Sequence, residues 1–150
     1  MAVNSRDFVL RVNTINTSAE MICDFLRTKT SVITRIFYPK YDETTSNYLD
    51  CARSSHSNPG YGGLFSILFA SDSVAQAFFN HLKVEKGPTF GTVFTLACPY
   101  TILAHYGELD WAEKHGVPER LVRVGVGIEE GEKLLEVFRE AICAAEDAAK

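Results

Sequence analysis

Between Leu121 and Ile128 the chain reads "LVRVGVGI", and no other stretch limits its fold so sharply. Side chains alternate sides along a strand, so Val122, Val124, Val126 and Ile128 share one face, while Arg123, Gly125 and Gly127 share the other. The valine face demands a core. The opposite face carries a charge followed by two positions without side chains, and glycine inside a strand costs stability unless something needs the space. Two occupants fit such a shelf. Another backbone or helix packs on it and leaves Arg123 solvated at its edge, which from spacing alone is the commoner case, or an anion approaches the guanidinium.

The rest of the chain supplies what a half-covered strand needs. Phe8, Val12, Ile15, Ala19, Ile22 and Leu26 recur at the spacing of one helical stripe, which predicts a helix from about Asn4 to Arg27 with Asn4 or Ser5 as its cap. A helix that long in a small domain can extend past the body and offer its remaining surface to a partner. "VITRIFYP" (Val32 to Pro39), "GLFSILFA" (Gly63 to Ala70) and "TFGTVFTL" (Thr89 to Leu96) are β-rich and bounded by turn formers. Between the first two lies a long loop with room for a short helix near Thr45 to Arg53, and loops of that length are more often functional than idle. Ser71 or Asp72 caps a helix that buries Val74, Phe78 and Leu82. Pro99 opens another that Gly116 ends. After Glu129 and Glu130, Leu135, Phe138, Ile142 and Ala145 mark a last helical stripe. Helices alternate with strands, but several crossovers are short. The expected fold is therefore α/β of the two-layer α+β kind: one domain over residues 1–150, with a mixed, largely antiparallel sheet of about four strands and helices on one face.

Charge and composition remove several classes of function. A net charge of -4 gives no basic footprint for nucleic acid. No segment has the length or apolarity of a membrane span or the form of a leader, so a soluble, cytoplasmic protein is expected. Cys23, Cys51, Cys98 and Cys143 lack CxxC or zinc spacing and are expected to be buried, reduced thiols. His56 and His81 have no companion ligands and read as surface residues; no metal is expected. "GVGIEEG" is not a dinucleotide fingerprint, because Glu130 stands where the third glycine belongs and would repel a phosphate. His105, Tyr106 and Asp110, with Glu108, crowd "AHYGELDW" and are candidate acid–base groups, although such spacing is also common on solvated helix faces.

Four segments in order resemble one family. "SRDFVLRVNTINTSAEMICDFL", "NPGYGGLFSILF", "CPYTILAHYGELDWAEKHGVPERL" and "LVRVGVGIE" are similar to the C-terminal third of the pyridoxal-phosphate enzymes of cysteine and methionine metabolism, and most of all to fungal cystathionine γ-synthases. The resemblance implies the small domain of a fold-type-I enzyme. It implies that Arg123 grips the α-carboxylate of an amino-acid substrate, with Gly125 and Gly127 on the pocket floor; Gly125 replaces the serine usual in the family. It also implies that the cofactor, its Schiff-base lysine and its phosphate loop belong to a large domain that none of these segments matches. The chain alone is then expected to hold no cofactor and to be inactive. It would associate with a separately encoded large-domain chain, or with itself through the first helix as a dimer. Two other roles stay open: an interaction or regulatory module derived from such a domain, and an enzyme that uses the pocket without the cofactor. Lys29, Lys40, Lys83 and Lys86 read as surface charges.

Overall fold

The computed structural model describes residues 5–52 and 60–150. Asn4, His56, the Asn58–Pro59 start of the glycine-rich segment and the Arg53 end of the short helix lie outside the described residues.

Helix α1 (Phe8–Arg27) leads into strand β1 (Ile33–Phe37), a short helix α2 (Thr45–Cys51) and strand β2 (Leu64–Phe69). Helix α3 (Asp72–His81), strands β3 (Glu85–Lys86) and β4 (Leu96–Pro99), and helices α4 (Tyr100–His105) and α5 (Leu109–Lys114) follow. Strand β5 (Leu121–Gly125) and helix α6 (Gly131–Ala148) complete the described elements. The sheet order is β1-β2-β5-β4-β3, antiparallel except where the two-residue β3 runs parallel to β4. The mixed, largely antiparallel sheet is thus as expected. It has five strands rather than about four, because a pairing as short as Glu85–Lys86 leaves no periodic trace.

The alternation of β5 sets the layers. Val122 and Val124, 2% and 0% exposed, join Phe65, Ile67 and Phe69 of β2 under α1, α3 and α6. Phe138 of α6 lies at the centre of this layer, its ring 6.2 Å from Phe65 and 6.1 Å from Phe78. The buried stripe of α6 is Leu134, Leu135, Phe138, Ala141, Ile142 and Ala145, which contains the four positions the spacing predicts. Ser71 caps α3 by accepting from the Val74 amide. At the other end of α3, Lys86 donates to the carbonyls of Phe79 and Leu82 at 2.7 and 2.6 Å. It closes a helix C-terminus rather than standing as a free surface charge, and partial burial lowers its pKa.

Several expectations need correction. Helix α1 starts at Phe8 with Asp7 before it, whose side chain makes no capping hydrogen bond; the Ser5 carbonyl accepts from the Phe8 amide. Only the second half of its stripe is buried, from Ser18 to Leu26, while Phe8, Val9 and Leu10 are exposed. Residues Thr89 to Thr95 are not a strand: pairing begins at Leu96. The single helix expected after Pro99 is broken by a 3-10 turn at Tyr106–Glu108, centred on Gly107, and ends at Gly116 with φ +80°. Of the four cysteines, all free, Cys23 and Cys98 are buried but Cys51 and Cys143 are exposed. Among the described residues no helix is long and apolar enough to cross a membrane, and no cluster of metal-ligating groups occurs.

Candidate functional site: an arginine on the uncovered sheet face

The face of the sheet turned away from α1, α3 and α6 is where Arg123 stands. It is paired in register with Ser66 on one side and Cys98 on the other, and is half-buried. The Phe90 ring lies 3.7 Å from its guanidinium carbon and the Tyr100 ring 4.5 Å away. Its Nη2 donates to the Pro88 carbonyl at 2.8 Å. Among the described residues no carboxylate pairs with it. Two aromatic rings and one carbonyl therefore hold the plane of a cation whose charge the chain leaves uncompensated. Such a guanidinium retains N–H donors for an acid, in the fork geometry that matches a carboxylate. Burial pushes the thiol of the neighbouring Cys98 up, and Arg123 offsets part of that shift.

The two glycines beyond it differ. A β carbon at Gly125 would meet nothing within 4 Å, so space does open beside the guanidinium. A β carbon at Gly127 would stand 2.5 Å from the Phe94 Cα and carbonyl carbon. Gly127 thus makes room for a neighbouring backbone, and only Gly125 clears a shelf. That close approach is fastened by Glu129, whose carboxylate accepts from the Thr95 amide at 2.5 Å and the Thr95 hydroxyl at 2.9 Å; the same hydroxyl accepts from the Gly127 amide at 3.0 Å. Glu129, just ahead of the last helix, thus anchors the loop that carries Phe90.

His105, Tyr106 and Asp110 do not gather around the arginine. His105 hydrogen-bonds Glu108 at 2.7 Å, Tyr106 is 77% exposed, and Asp110 borders a separate hollow with Asp72, Glu113, Glu119 and Arg120. The residues that do meet Arg123 are Pro88, Phe90, Cys98 and Tyr100, none of which sequence reasoning placed beside the arginine. A "CPY" directly after a strand was the one visible signal for Tyr100.

Among the described residues, the groups that touch Arg123 are Pro88, Phe90, Cys98 and Tyr100, and none is a lysine. Lys29, Lys40, Lys83, Lys133 and Lys150 pair with carboxylates, and Lys86 holds the end of α3. None of the residues that meet Arg123 or line the cavity beside it carries an amine that could hold an aldehyde cofactor, so the arginine's immediate surroundings do not make a pyridoxal-phosphate site.

The model of the Cys/Met metabolism PLP-dependent enzymes matches residues 6–143. A cystathionine gamma-synthase-like enzyme of Amanita muscaria is 47% identical over 99% of the chain, and the cystathionine gamma-synthase of Neurospora crassa is 44% identical over 98%. The chain spans only 27% and 23% of those two relatives. Among solved structures, cystathionine gamma-lyase from yeast superposes with a TM-score of 0.82 at 26% identity, over 93% of this chain and 36% of that one. That likeness agrees with the five-stranded mixed sheet described above.

Proposed function

This chain belongs to the Cys/Met metabolism PLP-dependent enzymes, and from that footing we propose that it is the small, carboxylate-gripping domain of a cystathionine γ-synthase-like enzyme. The observation that carries the reading is Arg123, a cation on the uncovered face with no acidic partner among the described residues and with open space at Gly125. In this reading the guanidinium binds the α-carboxylate of an amino acid, Phe90 and Tyr100 keep its plane fixed, and the Gly125 shelf admits the substrate backbone. The reaction served is γ-replacement, which joins cysteine to an activated homoserine ester within methionine biosynthesis. The cofactor and its lysine are supplied by a large domain that this chain does not match, so the chain alone neither binds pyridoxal phosphate nor forms cystathionine.

The exposed apolar residues support a large-domain partner. Phe8, Val9 and Leu10 at the start of α1, and Leu64, Val93 and Phe94 at the Gly125 end of the sheet, are between 45% and 69% exposed. Surface of this kind drives association. The experiment mixes the chain with the large domain of a fungal cystathionine γ-synthase, truncated before the matching segment. The expected result is a stable complex that forms cystathionine, with Arg123→Lys lowering kcat/KM by roughly tenfold or more through loss of the fork. A borohydride-reducible cofactor adduct at one specific lysine of the chain alone, or full activity in the Arg123→Lys complex, would sink the proposal.

A further inference from the structure

Arg123 also borders a second space, on the side away from Gly125. At the Leu121 end of the open face, a cavity of about 310 Å³ has apolar walls from Phe37, Val117 and Leu121 and polar groups from Ser66, His115 and Arg123. Neither Pro88 nor Phe90 borders it, so the loop that closes one flank of the arginine leaves this flank open. The volume is at the lower end for small-molecule sites, which leaves out nucleotides and other large ligands. The chemistry of the lining narrows the ligand further. The arginine selects an anion: the Pro88 carbonyl and the Cys98 sulfur occupy only part of its five N–H donors. The apolar walls select a hydrocarbon tail. Among the described residues no carboxylate borders the cavity.

We infer that this cavity binds an apolar monocarboxylate, a short branched or aryl acid, whose carboxylate takes Arg123 and thereby competes with an amino acid approaching over Gly125. The inference rests on the reading of Arg123 as a carboxylate-binding residue and adds a second ligand class to it. The competition makes the arginine a point of control: an apolar acid in the cavity withholds the guanidinium from substrate.

The only tryptophan of the chain reports on the site, because the Trp111 ring lies 4.3 Å from the ring of His115, which lines the cavity. The chain is titrated with 4-methylpentanoate, acetate and 4-methylpentanamide, and binding is followed by Trp111 emission and by the Arg123 Nε–H resonance. The expected result is that 4-methylpentanoate binds about tenfold or more tightly than acetate, since only it carries a tail to bury, and that the amide does not bind. Val117→Phe should bring 4-methylpentanoate down to the acetate level, and Ser66→Leu should do the same from the opposite wall if Val117→Phe fails to fold. Arg123→Met should abolish the response to both acids. Equal affinities for the two acids, both lost with Arg123→Met, would overturn the cavity and leave the carboxylate-binding arginine standing. An unchanged preference in both filled variants would likewise place the tail elsewhere. No acid response at Arg123 would overturn the inference together with the reading beneath it.

Discussion

The two faces of β5 lie within one strand and follow opposite rules. On the helix-covered face, Val122 and Val124 belong to one buried apolar cluster with Phe65, Ile67, Phe78 and Phe138. On the other, Arg123 sits between Ser66 and Cys98, and its charge is held by rings and one carbonyl instead of by an acid. An unpaired cation that is only half buried gains the fold little stability. The difference teaches that the covered face carries the fold and leaves the open face to the candidate site.

The sharpest way to break this comparison is to truncate one side chain on each face. Phe138 is fully buried between Phe65 and Phe78, so Phe138→Ala should cost about 3–5 kcal/mol in lost transfer energy and cavity. Arg123→Ala removes a half-exposed cation with aromatic neighbours, which is worth about 1 kcal/mol. Urea unfolding of both variants checks the pair. A loss at Arg123 as large as that at Phe138 would make the arginine part of the architecture.

A smaller effect separates the two glycines of the same face. Gly127→Ala would press a methyl group into the Phe94 backbone and should cost about 1–3 kcal/mol, because backbone has little freedom to give way. Gly125→Ala enters open space and should stay within about 0.5 kcal/mol of wild type in either direction. Thermal midpoints of the two variants, measured side by side, test whether the shelf is as narrow as one residue.

How much of this was legible in the sequence follows from which interactions are local. The alternation in β5 and the stripes of α1 and α6 fixed the layers, since periodicity and burial act on neighbouring residues. The run Thr89 to Leu96 misled because threonine, valine and phenylalanine favour strands in composition, yet Phe90, Val93 and Phe94 find no core there and are exposed. Phe90 turns instead to Arg123, a contact set by tertiary placement that no spacing encodes. Gly125 and Gly127 look equivalent in sequence; the approach of the Phe94 backbone and the Glu129 carboxylate distinguishes them. The three acid–base candidates failed to converge because Gly107 breaks the helix that was to align them, so His105 and Asp110 lie on separate segments.

The smallest effect lies at the seam where the helix layer is fastened to the chain leaving the edge strand. Lys40, just after β1, bridges Glu20 at 2.6 Å and Asp24 at 3.0 Å on α1, and the Tyr41 hydroxyl also donates to Asp24. Desolvation raises the Asp24 carboxyl, but the hydrogen bonds from Tyr41 and Lys40 outweigh it and hold the group below the ordinary carboxylate value. A group depressed in the folded state adds stability above its unfolded pKa of about 4 and loses it as pH falls through the folded value. With the carboxylate half exposed, solvent screening keeps the contribution below about 1 kcal/mol. Asp24→Asn should therefore lower the urea midpoint slightly and equally at pH 7 and pH 5, and the gap to wild type should shrink toward pH 3. A gap that persists unchanged in acid would mean that the seam is held by packing of Tyr41 against Arg27, 4.1 Å from its ring, rather than by the charge on Asp24.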